Sequence, residues 1–222
     1  MDEIITKIAV SVLPILFAIT LHEAAHGYVA RHFGDDTAAK LGRLSLNPVN
    51  HIDPFGTIIL PLVMFIISKI GGGSFVFGYA KPVPVDFGKL RNPKRDMIWV
   101  AFAGPAANYL MAVFWAILFA LFVSFQTHKF FVEMAQVGVR INLVLFALNM
   151  FPLPPLDGGR VLVRLLPPKQ AISVARMEPY GIFVVMLLAM TPMFYQYWIG
   201  PVADVLKQPL DFIVQVLQSL LN

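Results

Sequence analysis

Long apolar stretches alternate with polar, proline-containing segments along the chain. Residues 4–21 carry only Thr6, Lys7, Ser11 and Thr20 as polar side chains, and His22, Glu23 and His26 follow on the same helical run. Further apolar stretches cover 97–125, 130–151 (interrupted by Glu133, Arg140 and Asn142) and 180–199. About 20 apolar residues cross the hydrocarbon core of a bilayer, so the pattern predicts spans at about 4–30, 97–125, 130–151 and 180–199. Residues 55–70 are apolar but short, and Pro61 interrupts them, which suits a re-entrant or tilted segment. Between 78 and 85, Pro82 and Pro84 forbid a helix but allow an edge strand or extended loop. Residues 200–222 place Val202, Val205, Leu206, Leu210, Ile213, Val214, Leu217 and Leu221 at helical spacing, with Asp204, Lys207, Asp211 and Gln215 between them. This predicts a C-terminal amphipathic helix or an additional span. Residues 1–199 read as a single integral membrane domain, without internal repeat or soluble module.

Composition makes the membrane reading firm. Hydrophobic residues are 58% of the 222 and charged residues 14%, against about 45–50% and 25% in soluble domains. The excess is too large for one core, so the lipid bilayer is expected to solvate much of the surface. No cysteine is present, which leaves His, Asp and Glu as metal ligands. The net charge of +4 gives no reason to expect a nucleic-acid partner, because the cations sit in loops between apolar segments. Of the 17 Lys and Arg, nine (Arg31, Lys40, Arg43, Lys69, Lys81, Lys89, Arg91, Lys94, Arg95) lie in 31–96 and four (Arg160, Arg164, Lys169, Arg176) in 160–176. By the positive-inside rule both regions are cytoplasmic. The first helix then ends inside, 55–70 dips in and returns, and the His-bearing end of the first helix shares a side with Asp157.

His22-Glu-Ala-Ala-His26 matches H-E-x-x-H. Positions i and i+4 share one helix face, so both imidazoles can bind one Zn²⁺. Glu23, one residue on, is placed to take a proton from metal-bound water rather than to bind the metal. Three ionisable groups within five residues of a membrane helix are costly and mark function by default. A catalytic zinc needs a third protein ligand and an open position. Asp157 is the candidate: Pro152, Pro154 and Pro155 end the preceding helix, and Gly158 and Gly159 permit close approach. Asn108 reads as a packing residue beside Ala103, Gly104 and Ala107. His32, His51 and His128 read as ordinary exposed loop histidines.

His22-Glu-Ala-Ala-His-Gly27 together with Asn149-Met-Phe-Pro-Leu-Pro-Pro-Leu-Asp-Gly-Gly-Arg160 resembles the site-2 protease family of intramembrane zinc metalloproteases. Gly42-Arg-Leu-Ser-Leu-Asn-Pro48, Gly78-Tyr-Ala-Lys-Pro-Val-Pro-Val85 and Ala103-Gly-Pro-Ala-Ala-Asn108 extend the likeness over residues 22 to about 165. The resemblance implies an all-α polytopic membrane protein with a three-helix catalytic core plus extra helices. It also implies one zinc per chain held by His22, His26 and Asp157, with Glu23 as general base. The expected partners are transmembrane segments of membrane protein substrates, cleaved near the cytoplasmic face of a prokaryotic cell membrane. Asn149 matches the asparagine that holds the substrate backbone or oxyanion. A membrane-associated β or extended segment facing the substrate would correspond to residues near 42–48 and 76–85, although a rigid linker accounts equally well for Pro82 and Pro84. The loops leave no room for the PDZ-like domain that many members carry. Two other readings remain from the residues: a non-catalytic zinc-binding membrane scaffold, and a cation- or proton-conducting transporter. The intact Glu23 argues against the first, and the lack of repeated halves against the second.

Overall fold

The computed structural model describes residues 2–59, 63 and 81–221. Three helices form its centre: α1 (Asp2–His32), α2 (Pro93–Ser124) and α3 (Lys129–Asn149). Among the described residues these are the three single helices long and apolar enough to cross a membrane. Lipid offers no partner to backbone amides, so a crossing segment must bond its own, as a helix does. Ile8, Phe17, Leu110 and Phe114 are exposed on the outside of the bundle, the surface expected against hydrocarbon rather than water.

The inward faces follow helical spacing. On α1 an i+4 ridge is buried through Val10, Pro14, Ala18, His22, His26 and Ala30, with Thr20, Ala24 and Gly27 buried beside it. Such ridges pack into grooves of neighbouring helices. In lipid, helix association depends on close van der Waals contact, which small side chains permit. Accordingly α2 buries Gly104, Ala112, Ala116 and Ala120, and α3 buries Ala135, Gly138 and Ala147. Trp115 of α2 covers Gly138 of α3, in a cluster with Val10 and Met134.

After α3 the chain turns through residues 150–156 into α4 (Asp157–Leu165), α5 (Pro168–Ala175) and α6 (Glu178–Ala189). Helices α5 and α6 meet at 65° and together are long and apolar enough for one bent span. The stretch expected to be one helix over 180–199 is divided. Helix α6 ends at Ala189, where Thr191 Oγ1 donates to Leu188 O at 2.6 Å. Pro192, which has no N–H to continue the ladder, starts a short helical piece (Pro192–Phe194) that runs into a π-helical turn (Tyr195–Ile199). Trp198 Nε1 anchors this turn to Ala147 O of α3 at 2.7 Å.

The C-terminal α7 (Gly200–Leu221) is one helix, as the amphipathic spacing predicts. Part of its apolar stripe faces protein: Leu210, 1% exposed, packs with Ala203, Leu206 and Val214 against Ala112 and Ala116 of α2 and Leu143 of α3.

No strand occurs among the described residues. The segment expected as β or extended carries neither helix nor strand over 81–86, and its backbone is extended at Asp86. Its described part lies beside 42–51, joined by Lys81 N donating to His51 O at 2.9 Å and by Arg43 reaching Lys81 O at 3.3 Å. Residues 76–80 lie outside the described residues. So does most of the expected re-entrant segment 55–70, of which the π-helical turn Pro54–Ile59 is described. His51 departs from the exposed reading: it is 2% exposed, and its Nε2 donates to Ser45 O at 2.8 Å.

Candidate metal centre

His22 and His26 sit on the inner ridge of α1, against Gly104 of α2. Gly104 makes that approach possible, because a Cβ there would overlap both imidazoles. Each ring is fixed at Nδ1. His26 Nδ1 lies 2.7 Å from Val100 O, and His22 Nδ1 lies 2.7 Å from Asn108 Oδ1. Both oxygens accept, so both rings donate from Nδ1 and turn the lone pair of Nε2 inward.

Asp157 reaches the same point from the other end of the sequence. It opens α4, where a carboxylate is favoured by the helix dipole. Gly158 and Gly159 let this turn lie directly on the backbone of Met150–Phe151 and Leu153–Pro154, where added Cβ atoms would collide. Beneath it, Leu153, Leu156 and Val185 form an apolar cluster with Phe151 and Ile182. Asp157 Oδ2 is 3.2 Å from His22 Nε2 and 3.4 Å from His26 Nε2, and the two Nε2 atoms are 3.1 Å apart.

With both rings neutral, three lone-pair atoms converge, and Asp157 Oδ2 is buried without a hydrogen bond. Such a group is repulsive by itself and costly to bury. A cation accepted by all three removes both penalties. The candidate ligand atoms of His22, His26 and Asp157 lie within 4.8 Å of one another, and all three residues are buried. Nitrogen, nitrogen and carboxylate oxygen, with a cavity beside them, are the donor set of a catalytic zinc site.

Glu23 stands outside this donor group. Its Oε2 accepts from Val83 N at 2.9 Å, which ties the extended segment to α1. Gly27 permits this contact: a Cβ there would lie 2.8 Å from Leu44 Cδ1 and 2.9 Å from Val83 Cγ1. A cavity of about 490 Å³ opens onto the three donors, and Glu23, Pro82, Val83, Asn149 and Arg160 line it. Asn149 is the last residue of α3 and donates from Nδ2 to Leu145 O at 3.0 Å. The five site residues expected from sequence thus border one cavity.

The family model described as peptidase family M50 matches residues 10–136, more than half of the chain. This chain belongs to peptidase family M50. A relative from Bacillus subtilis, named "Putative zinc metalloprotease YwhC", is 37% identical over 193 residues, covering 82% of this chain and 80% of the relative. "Putative zinc metalloprotease Rip2" of Mycolicibacterium smegmatis is 29% identical over 178 residues, 80% of this chain and 65% of the relative. A third, "Putative zinc metalloprotease MJ0611" of Methanocaldococcus jannaschii, is 26% identical over 153 residues, 69% of each chain. No solved structure matches. The M50 chain is accordingly a membrane metalloprotease whose cofactor is zinc, and the convergent donors fit that ion.

Two residues of this M50 site were not anticipated as such. Asn108, read as packing, is hydrogen-bonded to His22, and Asn142, read as a weakness in a span, is hydrogen-bonded to Asn108. The cost of burying an amide in a membrane helix is visible in sequence; the partner, on another helix, is not.

Proposed function

We propose that this chain cleaves peptide bonds within or near transmembrane segments of membrane protein substrates. His22, His26 and Asp157 hold the zinc, and Glu23 is the general base. The observation that carries the reading is the position of the donor group in the bundle. It lies between the helices long and apolar enough to span, in a cavity that an extended segment borders on one side. When bound, zinc supplies a Lewis acid that acidifies the attacking water and polarises the scissile carbonyl.

Glu23 takes the proton of that water and delivers it to the leaving amine. It is suited to this because it lines the cavity without belonging to the donor group. Asn149, at the end of α3 and on the cavity wall, holds the substrate backbone or the oxyanion. A carboxamide there donates to developing negative charge without adding a titrating group. Residues 81–86 run beside Glu23 and border the cavity through Pro82, Val83 and Val85, where an unwound substrate segment can lie. A substrate helix has its amides bonded internally, so helix-weakening residues near the cut favour this unwinding. The charge pattern supports a site towards the cytoplasmic side, and the relatives from Bacillus subtilis and Methanocaldococcus jannaschii support a prokaryotic cell membrane.

The test is cleavage of single-span substrates, with and without helix-weakening residues, in proteoliposomes, with product termini mapped by mass spectrometry. The expected result is a cut inside or at the edge of the span by the wild type, lost in Glu23→Gln by at least about 100-fold. Cleavage confined to soluble loops, or undiminished in Glu23→Gln, would overturn the reading.

A further inference from the structure

We propose that Asn108 and Asn142 form a polarised amide relay across α1, α2 and α3 that fixes the tautomer of His22, so that zinc affinity depends on both asparagines. The proposal rests on the zinc assignment and not on where, or whether, a transmembrane substrate is cut.

The direction of every hydrogen bond in the relay follows from its ends. A peptide carbonyl can only accept. Asn142 has one polar atom 2.9 Å from Gly138 O, which must therefore be Nδ2. Its Oδ1 then faces Asn108 and accepts from Asn108 Nδ2 at 3.1 Å. The same Nδ2 donates to Ala18 O of α1 at 3.1 Å, so two independent acceptors fix the orientation of the Asn108 amide. Its Oδ1 is left 2.7 Å from His22 Nδ1. The proton of the imidazole consequently sits on Nδ1, and the lone pair of Nε2 points at Asp157 Oδ2.

Burial argues that this arrangement is not incidental. Asn108 is 1% exposed and Asn142 0%. An amide surrounded by apolar side chains costs free energy unless its groups are bonded, and small apolar residues would serve the packing alone. His26 takes the same orientation from Val100 O, a backbone atom that no substitution removes. His22 depends on side chains, and the last of these, Asn142, touches no candidate ligand. Groups that accept the second N–H of a metal-bound histidine typically contribute about 10- to 100-fold to metal affinity.

The experiment measures zinc affinity by chelator competition and the visible spectrum of the cobalt-loaded protein, using the full chain in detergent without substrate. Asn108→Leu is expected to lose about 10- to 100-fold in zinc affinity, and Asn142→Leu to lose less but to shift the cobalt spectrum. The double variant should bind no more weakly than Asn108→Leu alone, because Asn142 acts through Asn108. Thermal midpoints of the metal-free variants identify those that fold. If Asn142→Leu does not, Asn142→Ser, whose short hydroxyl returns to the i−4 carbonyl and withdraws from Asn108, carries the same expectation. The relay is overturned if Asn142 variants lower the midpoint but leave affinity and spectrum unchanged, as a plain helix–helix contact would. It is equally overturned if the two single losses add in the double variant. Cleavage is not read, so failure of the proteolytic assignment and failure of the relay are separate results.

Discussion

At the scale of single residues, the candidate ligands stood out in the sequence because polar groups in a membrane helix are expensive and a four-residue spacing puts two imidazoles on one face. His22, His26 and Asp157 meet within hydrogen-bond reach of one another. What sequence alone left hidden is the support around them. Gly104 looks like one more small residue on a packing face, yet it borders both imidazoles. Gly104→Ala is expected to push rings that are fixed at Nδ1, at a cost of about 1–3 kcal/mol. The checking measurement is zinc retention against a graded chelator, which should fall well below that of the wild type while the helical content by circular dichroism stays the same. Asn108 was ambiguous for a similar reason. A buried carboxamide serves either as a contact between helices or as a partner for a ligand, and the partner lies 86 residues away.

At the scale of elements, apolar length located the three central helices to within a few residues, because hydrocarbon forces each crossing segment to be a helix. The end of the sixth helix was less legible. Residues 180–199 are apolar but for Thr191 and Gln196, and only the Thr191-Pro192 pair marks the break. The extended segment illustrates a different limit: its prolines exclude a helix but do not say what it lies against. It is held by Asp35, which follows α1 and accepts from Thr37 N at 3.0 Å and from Asp86 N at 2.7 Å. Burial opposes the charge on Asp35, but the hydrogen bonds from Thr37 and Asp86 outweigh it and hold the carboxyl below the usual carboxylate range. A depressed folded pKa contributes stability that is present above the unfolded value, about 3.9, and lost as the pH falls through the folded one. The hydrogen-bonded amides of Val83 and Asp86 are therefore expected to lose hydrogen-exchange protection on acidification below about pH 4. Asp35→Asn should already show that loss at neutral pH. Protection that is independent of pH in the wild type would remove Asp35 as the clamp.

At the scale of the whole molecule, the bundle, the donors and the extended segment form one arrangement in which α7 is a buttress rather than a participant. Leu210 is buried against α2 and α3 on the flank of the bundle, and its residue is absent from the cavity lining. Leu210→Ala is expected to destabilise the protein by about 2–5 kcal/mol and to leave zinc stoichiometry unchanged, readable as a lowered thermal midpoint at constant metal content. The amphipathic spacing announced this helix, but not which apolar residues would face protein instead of lipid, since both environments select the same side chains. The measurement that bears most directly on the account is zinc content per chain, by mass spectrometry of the purified protein, in wild type, Asp157→Ala and Glu23→Gln. The account predicts one zinc in the wild type, one in Glu23→Gln, and little or none in Asp157→Ala. Full zinc in Asp157→Ala, or none in the wild type, would contradict it.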